Sequence, residues 1–151
     1  MLSAFTKEKF IDRQTNADLS QLLEIMPIFA AHRLCNAAEF LPFATAITSD
    51  GLLNPISIEK EEDLRPSEIL EQLEELVQRE LSAGRFVACG ICTNVITHPE
   101  ESNTRIHAIC LSLSCSIDFK VRYYIPYEMF MSDFPLLKQG FFRRPQLQVA
   151  S

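Results

Sequence analysis

The sequence predicts an α+β domain in which an antiparallel sheet of about five strands, in the order helix, hairpin, helix, three-strand meander, carries its helices on one face. Three observations predict it. Apolar residues recur at three- and four-residue steps between Pro66 and Ala83, the period of an amphipathic helix. Asp50-Gly51 separates two strand-like runs in the manner of a two-residue hairpin turn. After Gly84, three further runs rich in β-branched and apolar residues follow one another with only short polar breaks.

The chain has 151 residues, of which 47% are hydrophobic and 23% charged, with 4 glycines, 8 prolines and no tryptophan. A chain of that size buries about 68–70% of its unfolded surface and needs neither metal nor disulfides to supply a core. A single domain over residues 1–151 is expected, with 128–151 a C-terminal tail that docks on the domain or swaps with a second copy.

Each element follows from local chemistry. The first dozen residues suit a turn or two of helix through Phe5, Phe10 and Ile11. Asn16 or Asp18 suits the cap of a helix carrying Leu19, Leu22, Leu23 and Met26, and the pattern resumes as Ile28, Phe29, Ala31, His32, Cys35 and Ala38. Pro27 stands between the two halves. An interior proline costs ~3 kcal/mol of helix stability, which predicts a kink or short break there. Phe43 to Ser49 and Leu52 to Ile58 form the hairpin, and Pro55, lacking an N–H, places its second strand at an edge.

The helix over 66–83 carries Ile69, Leu70, Leu73, Leu76, Val77 and Leu81 on one side. Pro66 suits its first turn and Gly84 the position just past its end. The segment Glu59 to Glu80 holds nine acids against Lys60, Arg65 and Arg79, so the far side of this helix is strongly acidic. Strands follow over Phe86 to Thr97, Ile106 to Ile117 and Phe119 to Ile125, joined by a polar loop from His98 to Thr104 and a tight turn around Ser116 to Phe119. Alternation sets Ile109, Leu111, Leu113 and Ile117 against Ala108, Ser112, Ser114 and Ser116, and Val121, Tyr123 and Ile125 against Lys120, Arg122 and Tyr124.

A net charge of -6 opposes attraction to a phosphate backbone or an anionic bilayer. No apolar run approaches the ~20 residues of a membrane span, and Met1 to Phe10 lacks the layout of a signal peptide. Five dispersed cysteines, Cys35, Cys89, Cys92, Cys110 and Cys115, fit reduced thiols. These features predict a cytoplasmic protein with neither nucleic-acid nor membrane partners.

Cys89-Gly90-Ile91-Cys92 is the one short motif with a named chemistry. A reactive dithiol or zinc knuckle needs both sulfurs to converge, whereas strand residues three apart point to opposite faces. A four-thiolate zinc set of Cys89, Cys92, Cys110 and Cys115 meets the same objection. His107, expected on the apolar side of its strand, is a candidate base for a neighbouring cysteine; His32 falls on the kinked helix and His98 at a loop edge. There is no glycine-rich phosphate loop, nucleophile elbow or HExxH motif. Catalytic, cofactor-binding and metal residues are therefore expected to be absent. Cys89, Cys92 and His107, with Cys110, carry the alternative reading of a thiol- or histidine-dependent enzyme or small zinc protein.

The tail from Tyr127 to Arg144 mixes apolar and basic residues. Phe130, Phe134, Phe141 and Phe142 are expected to dock on this domain or on a second copy, predicting a homodimer. One ordered set of residues runs Ala38-Glu39-Phe40-Leu41-Pro42-Phe43-Ala44, Asp50-Gly51, Gly84, Val87-Ala88-Cys89-Gly90-Ile91, His107-Ala108-Ile109 and Pro126-Tyr127. It resembles small bacterial proteins, some of them like immunity or accessory proteins of toxin systems, over roughly residues 20–127. His107 stands where that pattern has an acid. The resemblance supports the strand order and supplies no catalytic residue. The lack of a convergent nucleophile, acid/base or metal set, the acidic helix from Pro66 to Ala83 and the aromatic tail predict a non-enzymatic domain that binds another protein, the acidic face steering a basic partner.

Overall fold

The computed structural model describes residues 13–35, 37, 39–97, 105–115, 119–131 and 134–143. Helix α1 spans Arg13–Leu34, strands β1 Phe43–Thr48 and β2 Leu53–Ile56, and helix α2 Pro66–Ser82. Strands β3 Phe86–Thr97, β4 Ile106–Ser114, β5 Lys120–Phe130, β6 Phe134–Leu137 and β7 Phe141–Arg143 follow among the described residues. All pairings are antiparallel, and the strand order is β2-β1-β3-β4-β5-β6, with β7 also on β5. The α+β class, the element order through the meander and the edge position of β2 agree with the sequence reading. The expected helical turn before residue 13, the loop 98–104 with His98, and the turn centred on 116–118 lie outside the described residues.

Helix α1 starts earlier than its expected caps, so Asn16 and Asp18 are buried inside its first turns. It also passes through Pro27 without a break. The stripe that continues is Leu19, Leu22, Leu23, Met26, Ala30 and Leu34, all buried, while Ile28 and Phe29 are exposed. Burial of each large member contributes ~1.5–3 kcal/mol. Together they outweigh the ~3 kcal/mol cost of the proline, and the helix keeps its period. Arg33, near its end, lies 4.2 Å above the Phe43 ring and ties α1 to β1.

Helix α2 matches its expected span to one residue. The Arg65 N–H donates to Glu68 Oε1 at 2.9 Å, closing its first turn. At the other end Gly84 takes φ 77° and its N–H donates to the Leu81 carbonyl at 3.1 Å.

The two helices do not share a face. The stripe of α1 packs with Phe43, Ile47, Ala88, Cys92, Ile109, Leu111, Leu113, Val121 and Ile125. Ile69, Leu73 and Val77 of α2 pack with Ala44, Ala46, Phe86, Cys89 and Ile91. Alternation within β1 and β3 sends these two sets to opposite sides of the sheet, so the expectation of helices on one face is corrected. The cause is legible in β3: it is apolar on both sides, as a central strand covered twice must be.

Two further corrections concern the strands. Phe86 pairs with Thr48 and Ala88 with Ile47, leaving Val87 as an extra residue at a bulge. Regular alternation from Cys89 would put Val87 on the α2 side, but the bulge turns it to the α1 core. The second concerns β5, expected to stop at Ile125, which runs to Phe130. Its first half pairs with β7 and its second half with β6, so tail residues extend the expected five strands to seven. Phe141 stacks on Tyr124 at 5.7 Å between ring centroids, and Phe142 meets Tyr123 edge-on at 4.6 Å. Residues 144–151 lie outside the described residues.

Candidate functional site

The cysteine motif comes apart in space. Cys89 lies beneath α2 and Cys92 beneath α1, each 0% exposed, and Gly90 and Ile91 separate them along β3. The face bearing Cys92 is closed by α1. Burial pushes the Cys89 thiol up to about 12, with the Glu80 carboxylate adding to the shift. Burial raises Cys92 as well. Both thiols are protonated at neutral pH, whereas the nucleophile and the metal ligand in cysteine chemistry are thiolates.

Cys110 is buried on the strand next to β3, and Cys35 and Cys115 are half-buried. Cys110 and Cys115 take opposite sides of the sheet, because Cys115 packs with the α1 core while Cys110 pairs with Thr93 on the other face. Among the described residues no three His, Cys, Asp or Glu side chains gather as a metal cluster. His107, expected on an apolar face, is exposed near the start of β4, with its ring 6.1 Å from that of Tyr127. The strand outruns its helical cover there, and no cysteine shares a pairing with His107, whose partner is Ile96. His32 is exposed on α1.

The prominent surface feature is the hairpin formed by β5 and β6. Tyr127 pairs with Leu137, Glu128 with Leu136, Met129 with Pro135 and Phe130 with Phe134. Phe130, Met131 and Phe134 are 52%, 76% and 58% exposed, and Leu136 and Leu137 are exposed beside them. Met131 takes φ 53°, a left-handed conformation that costs a side-chain-bearing residue ~1–2 kcal/mol. Met129 packs inward against the α1 core, and α1 lies against β6, so the hairpin stands on a fixed base. Lys138 and Glu128 pair at 3.6 Å on its flank.

Sequence reasoning marked Phe130 and Phe134 but missed Met131, Leu136 and Leu137. Their signal was a strand pattern continuing past Tyr127 with a proline in its returning arm. The second surface feature is the outer side of α2, where Glu71, Glu74 and Glu75 point away from the core.

Among the described residues no helix is long and apolar enough to cross a membrane. No family model, curated protein or solved structure matches the chain.

Proposed function

We propose that the protein is a non-catalytic protein-binding domain of the immunity or accessory kind, acting in the cytoplasm, and that the β5–β6 hairpin is its docking surface. The observation that carries this reading is the set of exposed large apolar side chains at the hairpin: Phe130, Phe134 and Leu136 on one face, Met131 at its end and Leu137 on the other face. Contiguous apolar surface of that kind marks contact sites, and aromatics and methionine are enriched in them. Placing methionine in a left-handed conformation where glycine would be relaxed supports the same reading, since strain kept at an exposed tip is characteristic of functional positions.

The acidic face of α2 gives a basic partner long-range attraction and a faster encounter. The same hairpin pairs two copies of the chain when no partner is present. Five cysteines outside any disulfide suit a reducing compartment.

Co-expression with the products of the genes on either side, followed by size-exclusion chromatography, tests the reading. The expected result is a stable complex that disappears when Phe130→Ser and Phe134→Ser are combined, with the free protein sedimenting as a dimer that the same pair of substitutions converts to monomer. Wild-type protein that binds neither product and stays monomeric at its highest soluble concentration overturns it.

A further inference from the structure

Helix α2 covers only the β1 and β3 half of its side of the sheet. Among the described residues no helix covers that side over β4 and β5, and α2, with Val77, forms one wall of a cleft of about 290 Å³ whose floor is Ile91, Ser112 and Ser114. The volume falls at the lower end of ligand-sized pockets.

The walls carry opposite charge. Glu71, Glu74 and Glu75 stand on α2, spaced three and four residues apart on one side of the helix, and Lys120 and Arg122 stand on β5. Among the described residues no ion pair crosses the cleft. Glutamates elsewhere on α2 do pair with nearby cations: Glu80 with Arg85 at 2.7 Å and Glu68 with Arg65 at 3.2 Å. The guanidinium of Arg122 is steadied by the Tyr124 hydroxyl. Ser114 is only 7% exposed and lines the floor, on the same face of β4 as Ser112. A hydroxyl both donates and accepts, so Ser114 adds a neutral hydrogen-bonding group at the foot of a two-signed cleft.

We propose that this cleft binds a short peptide zwitterion, its ammonium end against Glu71, Glu74 and Glu75 and its carboxylate end against Lys120, Arg122 and the Ser114 hydroxyl. The two charges of the ligand must be separated by a chain, because they answer walls on different secondary-structure layers, and sheet-packed layers lie ~10 Å apart. A carboxylate accepts hydrogen bonds from a guanidinium and a hydroxyl together. An ammonium has three donors to share among carboxylates. None of the residues used here belongs to the hairpin surface, so the site stands or falls apart from the docking reading.

The test uses the full chain and four probes: trialanine, dialanine, N-acetyl-trialanine, which lacks the ammonium, and trialanine amide, which lacks the carboxylate. Isothermal titration and thermal shift are expected to show saturable binding of trialanine and at least tenfold weaker binding of each blocked form. Arg122→Gln should abolish the preference for trialanine over its amide while leaving the preference over the N-acetyl form. Glu74→Gln combined with Glu71→Gln should do the reverse. All these side chains are at the surface, so the melting temperatures without peptide report folding independently. Absence of trialanine binding to folded wild-type protein overturns the proposal, as does binding indifferent to blocking or unchanged in both variants.

Discussion

Asn94 Nδ2 donates a 2.7 Å hydrogen bond to the phenol oxygen of Tyr127, linking β3 to β5 across the intervening β4. Tyr127 is buried and Asn94 half-buried, so the bond closes the sheet near the base of the exposed hairpin. Tyr127→Phe is expected to cost ~0.5–1.5 kcal/mol, the usual net worth of one such bond, because water can reach the Asn94 amide afterwards. Urea midpoints of Tyr127→Phe, Asn94→Ala and the double variant check it: the coupling energy should be positive and near the Tyr127→Phe loss. Additive effects would show that the bond contributes nothing.

Gly90 is a packing residue. A Cβ there would run into the Met26 sulfur, with Leu111 and Leu113 methyl groups 3.3 Å away. Met26, Leu111 and Leu113 are all fully buried and have little room to yield. Gly90→Ala is expected to destabilise by ~1–3 kcal/mol through overpacking, and Met26→Ala by ~2–5 kcal/mol through a cavity. In the double variant each change relieves the other, so the total should fall short of the sum. Thermal or urea unfolding of the four proteins decides it.

Cys89→Ser and Cys92→Ser should cost similar amounts, ~1–3 kcal/mol each, because both put a hydroxyl into a closed apolar site. In the native protein a thiol reagent should modify the half-buried Cys35 and Cys115 first and the other three only on unfolding. Rapid native labelling of Cys89 or Cys92 would contradict the burial of both.

Alkali should unfold the protein through these thiols. The native state holds the Cys89 proton more tightly than the unfolded chain, whose thiol titrates near 9.0. Stability is therefore complete below pH 9, where both states are protonated, and is lost as pH rises toward 12. Cys89→Ala should flatten that decline, measured as the pH dependence of the urea midpoint, and leave the slope between pH 6 and 8 unchanged.

Much of the fold is legible in the sequence because its signals are local. Pro66, the leucine spacing and Gly84 delimit α2; Asp50-Gly51 marks the hairpin; alternation marks β4. What escapes local reading is which side of the sheet each helix covers. That depends on β3 being apolar on both faces, where Ala88 and Cys92 serve α1 and Cys89 and Ile91 serve α2. Val87 shows the same limit, since a one-residue bulge shifts its face and is specified by pairing with β1. The apolar hairpin was half visible, as four phenylalanines, but only tertiary pairing separates Phe141 and Phe142, whose rings meet Tyr124 and Tyr123, from Phe130 and Phe134, which pair with each other at the exposed end of the hairpin. The cleft was invisible, because Ser114 and Glu74 are forty residues apart and each reads alone as ordinary surface.

Pro55 sits in β2 and Pro135 in β6, the two ends of the strand path, and each lacks the N–H that an incoming strand would need. Such prolines act as gatekeepers against amyloid-like stacking, in which backbone ladders extend from molecule to molecule without limit. Contacts made at these borders must be made by side chains, so a sticky hairpin can meet a partner without seeding fibres. Pro135→Val, which restores the donor beside Phe134 and Leu136, should shorten the lag before thioflavin-positive aggregation under agitation, and Pro55→Val should do so less because β2 exposes fewer apolar side chains.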